Sequence, residues 1–275
     1  MSTIIGQLGL ERPPASVMLG FVDNFYDNPE YYDLAFSWRD IAGEVDFLEE
    51  CFARYSRIPV RHVLELASGT SPHIEELSMR GYRYTGLDIS KAMVKWSEAK
   101  ARDLGIDATF IEADMADFNL SEPVDFVVTM CGSLYTRSTA GFMSHLRSVA
   151  RALRPGGLYF LDWCINFEWN QPKGEQRWKM KRRGVEMKLR FIEEVIDPAS
   201  QIARHRLIGD LNDRGREHHF ESRNTVRVIL PQEFLLHLEK CGEFEFLGWW
   251  NNWDLKRPME KEESANRPVT LIRRK

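Results

Sequence analysis

Two acids at the ends of consecutive apolar runs bring chemistry to this chain. Glu65 closes the run through Val63 and Leu64 in "HVLELASGTSPH", and the small residues Ala67, Ser68, Gly69, Thr70 and Ser71 come next. Asp88 closes the following run, in "RYTGLDIS". A turn with so few side chains lets a ligand approach the backbone closely. The carboxylate beside it favours a cationic or amine-bearing group and repels a pyrophosphate. No Lys-Ser or Lys-Thr follows, as a phosphate-binding loop requires, and only Gly69 survives of a GxGxxG fingerprint.

An acid in the place of Asp88 can accept both hydroxyls of a ribose. After the third apolar run comes "EADMADF", where Asp114 and Met115 can bracket an adenine. The carboxylate would accept from the exocyclic amine and the thioether would pack on a ring face. The ligand so described is an adenosine with a positively charged amino-acid tail and no phosphate, which is S-adenosylmethionine.

The elements that must position these residues alternate. "HVLELA", "RYTGLDI", "ATFIEAD", "VDFVVTM" and "LYFLDWCI" read as strands. Between them run a helix closed by Gly81, a helix from a Ser90 cap to Gly105, and a helix "GFMSHLRSVARAL" stopped by "RPGG". Strands alternating with helices predict a Rossmann-like, doubly wound, mostly parallel α/β sheet covered on both faces. Ligands of such sheets sit beyond the carboxyl ends of the strands. From about residue 171 the helices disappear. "VEMKLRF", "QIARHRLIG" and "SRNTVRVIL", separated by Asp197-Pro198 and Asp213-Arg214-Gly215, predict antiparallel strands. The expected organisation is an N-terminal helical cap over 1–60, a nucleoside-binding domain over 61–170 and 231–275, and an inserted antiparallel β lid over 171–230. A helix after Pro231 and two last strands, near 244–250 and 268–273, return to the main sheet.

Bulk composition narrows the classes. The net charge of −4 predicts no broad attraction to nucleic acid or to an anionic membrane. No apolar run is long enough to span a bilayer, and "MSTIIGQLGL" does not read as a signal peptide. Cys51, Cys131, Cys164 and Cys241 lie far apart with no CxxC spacing, so neither structural zinc nor a disulfide framework is expected. The reading is a reduced, cytoplasmic protein, monomeric or homodimeric, with no metal.

The segment over roughly 60–165 resembles the class I S-adenosylmethionine-dependent methyltransferases, in particular small-molecule N- and O-methyltransferases with an antiparallel insertion after strand five. Glu65 and Gly69 match the family's E/D-x-x-x-G-x-G motif, with Ser71 in place of the second glycine. Asp88 matches the ribose acid, and Asp114-Met115 the adenine pair. "TMCGSLY" matches the segment under the methionine part, and Tyr31-Tyr32 with "SWRD" resemble the aromatic segment that closes over the cofactor. The resemblance implies cofactor contacts from Tyr32, Glu65, Ala67, Gly69, Asp88, Ile89, Met93, Asp114, Met115 and Met130. It also implies in-line methyl transfer to a nitrogen or oxygen of a small molecule. Tyr135, just past strand four, is placed either to meet the acceptor or to pack as an aromatic on the lid. Proximity and orientation supply on the order of 7–11 kcal/mol to such reactions. No unmistakable general base stands out among Tyr135, His145, His205, His218 and His219, which favours an amine or an acidic hydroxyl. The alternatives are a binding module without turnover and a nicotinamide-dependent oxidoreductase, the latter disfavoured by the missing fingerprint.

Several other features have plainer readings. His73 reads as a polar residue satisfied by its own turn, with cofactor contact as the sharper option. His145 reads as structural. "KMKRR" at 179–183 reads as the solvated face of a strand rather than a basic patch, and Trp249, Trp250 and Trp253 as packing. His218 and His219 alternate faces on a strand and so do not share a metal.

Overall fold

The computed structural model describes residues 20–22, 24–168 and 174–275. Seven strands form the main sheet in the order β11-β12-β6-β5-β2-β3-β4. They are β2 (His62–Leu66), β3 (Arg83–Asp88), β4 (Ala108–Glu112), β5 (Val124–Thr129), β6 (Leu153–Asp162), β11 (Phe244–Asn251) and β12 (Pro268–Arg274). Strands β2 to β6 are mutually parallel, and β12 pairs antiparallel with β6 and with β11. Strand order reverses between β2 and β5, and the crevice there opens at the carboxyl ends carrying Glu65 and Thr129.

The strands are continuous apolar runs because both faces are covered. On one face α2 (Ile41–Tyr55), α3 (Ile74–Met79) and α4 (Lys91–Leu104) bury Val45, Leu48, Ile74, Leu77 and Ala101 against Val63, Phe126 and Phe160. On the other, α5 (Thr139–Ala152) and α6 (Pro231–Cys241) bury Phe142, Leu146, Val149, Phe234 and Leu238 against Leu64, Val127 and Leu161. Ser90 caps α4 by accepting from the Met93 N–H, and Gly105 ends it in the left-handed conformation at φ 67°. "RPGG" does not separate α5 from its strand. The ladder steps from Val124–Leu153 to Phe126–Leu158, so residues 154–157 bulge within β6.

The second sheet has the order β1-β10-β9-β8-β7, with β1 (Gly20–Val22), β7 (Gln176–Arg182), β8 (Val185–Asp197), β9 (Ile202–Asp213) and β10 (Arg216–Arg227). Strands β7 to β10 are antiparallel neighbours, as the turn signals predict. The N-terminal part holds α1 (Pro29–Ala35) and α2 but also contributes β1, which pairs parallel with β10. Phe25, Leu34 and Ala35 pack on the inner face of this sheet against Leu189, Leu207 and Phe220. The N-terminal segment thereby ties the inserted sheet to the main one. Residues 1–19 of the expected cap, and the expected boundary at 170–171, lie outside the described residues. Among the described residues, no helix is long and apolar enough to cross a membrane, and no group of His, Cys, Asp or Glu is arranged to hold a metal ion.

Candidate active site

A cavity of about 240 Å³ opens at the carboxyl ends of β2 and β5. Of the residues expected at the cofactor, Tyr32, Glu65, Ala67, Gly69 and Met130 line it. Asp88, Ile89, Met93, Asp114, Met115 and Tyr135 are not part of its wall.

The turn after β2 is shaped by alternate left-handed residues: Ala67 at φ 51°, Gly69 at 53° and Ser71 at 49°. Ser71 therefore keeps the backbone path a glycine would take, at a cost of about 1–2 kcal/mol for an L-residue in that region. A side chain at Gly69 would also crowd the Tyr32 ring, 3.3 Å from the position of its Cβ. Helix α4 holds the turn from behind. Ser97 Oγ donates to the Gly69 carbonyl at 3.0 Å, and Lys100 Nζ to the carbonyls of Ser71 (3.0 Å) and Thr70 (3.3 Å). The Asp88 carboxylate closes the arrangement by accepting from Gly69 N–H and Ser90 N–H, both at 2.8 Å. Burial holds the Asp88 pKa above the usual aspartate value, against the pull of those backbone donors. Next to it Ile89 leaves a large apolar side chain 69% exposed, a surface suited to a flat ring.

Glu65 sits deeper than its sequence neighbours suggest, at 2% exposure. It accepts from Tyr84 Oη at 2.7 Å and faces His73 Nδ1 at 2.9 Å. His73 Nε2 in turn lies 2.9 Å from Glu44 Oε2 and 3.1 Å from Arg39 Nη2. Arg39 also donates from Nε to Glu44 Oε1 at 3.1 Å and contributes to the cavity wall. His73 is thus neither satisfied by its own turn nor a free ligand group; it bridges two buried carboxylates. Burial would depress its pKa, but Glu65 and Glu44 overcome that and hold it above the ordinary histidine value. The same contacts, with Arg39, keep Glu65 below the usual carboxylate range despite its burial, and put Glu44 at about 2. Arg267 extends the network: it pairs with Asp162 at 2.7 Å and reaches Glu44 at 3.4 Å. Asp162 accepts from Trp253 Nε1 at 2.9 Å and from the N–H of Cys131, another wall residue, at 2.8 Å. Sequence reasoning missed this chain. In the sequence Arg39 shows only as part of "SWRD", whose resemblance is to an aromatic segment.

Beyond β4, Asp114 is exposed and caps its own turn, accepting from Ala116 N–H at 2.8 Å, while Met115 is buried. His145 is structural. Its Nδ1 is 2.9 Å from the Met115 carbonyl and its Nε2 2.8 Å from Tyr159 Oη, and burial lowers its pKa to about 4. Tyr135 packs on the inserted sheet beside Ala203, Val226 and Val228, with its ring 5.9 Å from that of His205. Met93 is fully buried in α4. The solvated-face reading of 179–183 holds only in part, because Arg182 lines the cavity beside Asp33; the readings of the histidine pair and of Trp249 and Trp250 hold. Trp178 and Met180 face inward on β7, Lys181 pairs with Glu186, and Arg182 pairs with Asp33. His218 faces Tyr31 while His219 pairs with Asp210. Trp249 packs on Phe167 and Phe246, and Trp250 on Tyr55.

This fold and site define a class, and comparison with known proteins agrees. Residues 63–157 match the family described as a methyltransferase domain. That segment is a methyltransferase domain, set in the class I S-adenosylmethionine-dependent methyltransferase fold. Among curated proteins the chain is similar to a dTDP-4-amino-2,3,4,6-tetradeoxy-D-glucose N,N-dimethyltransferase of Saccharopolyspora spinosa, 29% identical over 143 residues, which is 50% of this chain and 54% of the relative. It is also similar to a dTDP-3-amino-3,4,6-trideoxy-alpha-D-glucopyranose N,N-dimethyltransferase of Streptomyces venezuelae, 31% identical over 140 residues, 50% of this chain and 56% of the relative. These matches span about half the length of the relatives. Among solved structures, an S-adenosylmethionine-dependent methyltransferase from Clostridium acetobutylicum superposes with a TM-score of 0.72 at 19% identity, covering 89% of this chain and 96% of that one. A sugar N-methyltransferase from Streptoalloteichus does so with a TM-score of 0.68 at 20% identity, covering 98% of this chain and 100% of that one.

Proposed function

We propose that this chain methylates an amine on a small molecule, using S-adenosylmethionine. One observation carries the reading: residues 67–70 of the turn and Arg39 line one cavity, and the Asp88 carboxylate is fastened to the same turn. An adenosine with a zwitterionic tail complements that wall. Arg39 would take the tail's carboxylate. Glu65 would take its ammonium with the lone pairs that Tyr84 and His73 leave. Asp88 would hold the ribose hydroxyls. Ile89, Asp114 and Met115 would meet the adenine, and Ala67, Met130 and Tyr32 the tail and sulfur, with Met93 packed behind. When bound, the cofactor supplies a methyl group already activated on a sulfonium.

The chain's own task is then to orient an acceptor and exclude water. Burial raises the pKa values of the Tyr26, Tyr32 and Tyr135 hydroxyls, and holds the Cys131 thiol at about 11, so these groups stay protonated near neutrality. His73 is engaged by Glu65 and Glu44. A hydroxyl acceptor needs a base at the cavity wall, whereas a neutral amine does not. The substrates named for the two curated relatives, dTDP-linked aminodeoxyhexoses, are the first acceptors to try. Mass spectrometry of such acceptors after incubation with methyl-labelled cofactor tests the reading. It expects a gain of one or two labelled methyl groups on the amine. Label on hydroxyls alone, or none on any amine despite cofactor binding, would refute it.

A further inference from the structure

The inner face of the inserted sheet is mostly apolar at its centre, and one row across it carries three polar side chains. His205 on β9 lies opposite Glu193 on β8 and opposite Asn224 on β10. Ala203 and Val226 flank the row on one side, and Leu207 with Phe191 on the other. Glu193 and His205 are 12% and 13% exposed, and His205 Nε2 meets Glu193 Oε2 at 2.9 Å. His205 Nδ1 is buried without a hydrogen-bond partner. Asn224 Nδ2 donates to Tyr26 Oη over a long 3.4 Å, and the Tyr135 ring lies 5.9 Å from that of His205. Tyr26 lies against Tyr32, with ring centroids 5.5 Å apart, and Tyr32 lines the cavity.

A row serving only to support the fold would be apolar like its neighbours, or fully bonded like Ser222. Ser222 Oγ accepts from Phe25 N–H at 2.9 Å and donates to Asn24 Oδ1 at 3.0 Å. A buried polar atom left without a partner destabilises the fold. Here Nδ1 of His205 and the weakly held amide of Asn224 stand in the row that runs through Tyr26 and Tyr135 toward the cavity. We propose that Glu193, His205 and Asn224, with Tyr26 and Tyr135, form the acceptor-recognition site and take a polyhydroxylated molecule bearing an amine. Glu193 faces the amine, and His205 and Asn224 take neighbouring hydroxyls. The proposal rests on the methyltransferase reading above for its choice of ligand.

The test uses the full chain saturated with S-adenosylhomocysteine, whose affinity is measured first. Failure of that binding would overturn the methyltransferase reading, and this proposal with it. The probes are a methyl 4-amino-4,6-dideoxyhexopyranoside and its 4-hydroxy counterpart, titrated calorimetrically. The wild-type chain is expected to bind the amine probe more tightly. Loss of a charge-assisted hydrogen bond in Glu193→Gln should weaken the amine probe about tenfold and the hydroxy probe by less than about twofold. His205→Phe should weaken both, and neither variant should move the S-adenosylhomocysteine affinity. Ser222→Ala, one row away, should lower thermal stability and leave both probes unaffected. With the cofactor product bound normally, the proposal alone is overturned if the wild-type chain binds neither probe. It is equally overturned if Glu193→Gln binds both as well as the wild type, or loses both together with S-adenosylhomocysteine.

Discussion

Removing the imidazole of His73 should expose how the site keeps Glu65 charged. In His73→Phe, Glu44 retains Arg39 and Arg267, whereas Glu65 keeps only the Tyr84 hydroxyl among its described hydrogen-bond partners. Stripping one partner from a buried pair costs about 3–5 kcal/mol, and the surviving Tyr84 bond places this case near 3 kcal/mol. For a chain of this size that is a fall in Tm of roughly 6–12 °C. Glu65→Gln alone removes the anion between two donors and should cost about 2 kcal/mol, the scale of a charged hydrogen bond. In the His73→Phe background the sign should reverse, because the glutamine removes a buried charge that has lost its partner. The double variant should then be more stable than His73→Phe, with a coupling energy of about 2–3 kcal/mol. Urea denaturation of all four proteins at neutral pH reads this cycle directly. Costs that add to within about 0.5 kcal/mol would refute the view that His73 and Glu65 act as one unit.

Three further outcomes are expected. Ser71→Gly relieves a left-handed L-residue and should stabilise the chain by about 1 kcal/mol, visible as a rise in Tm of roughly 2–4 °C. Arg39→Lys keeps the charge but loses the fork, so it should reduce affinity for S-adenosylhomocysteine about tenfold while leaving 5′-methylthioadenosine, which lacks the amino-acid tail, nearly unchanged; equal losses for both ligands would remove Arg39 from the tail's carboxylate. Glu44, with its pKa lowered to about 2, contributes stability that is fully present above the ordinary glutamate value and is lost as pH falls through the folded one. Denaturation between pH 4.5 and 2.5 should therefore be steeper in the wild type than in Glu44→Gln, by up to about 3 kcal/mol over the whole titration.

The strands and helices of the parallel half were readable because each is a local pattern. Val63-Leu64, Val127-Val128 and Phe160-Leu161 are short apolar runs, and Gly81 and Gly105 mark where helical periodicity stops. The inserted strands were readable for the same reason, through Asp213-Arg214-Gly215 and the alternation around it. Strand β1 was not, because three residues carry no period and pair with a strand almost two hundred positions away. At the site, small residues and strand-end acids announced the 67–71 turn and Asp88. The buried chain from Arg39 through Glu44 and His73 to Glu65 was invisible. Each member is a lone charged residue in a helix or turn pattern, and their meeting is a tertiary event across as many as 34 positions. The polar row Glu193–His205–Asn224 was equally hidden, since cross-strand register decides which side chains share a face.

Isothermal titration of the full chain with S-adenosylhomocysteine, and in parallel with a nicotinamide dinucleotide and ATP, tests most directly whether the cavity accepts a phosphate-free nucleoside with an amino-acid tail. One saturable site for S-adenosylhomocysteine, weakened about tenfold or more in Asp88→Asn and absent for both phosphate-bearing ligands, is the predicted result. Tight binding of the dinucleotide or of ATP, with no heat from S-adenosylhomocysteine or S-adenosylmethionine, would contradict it.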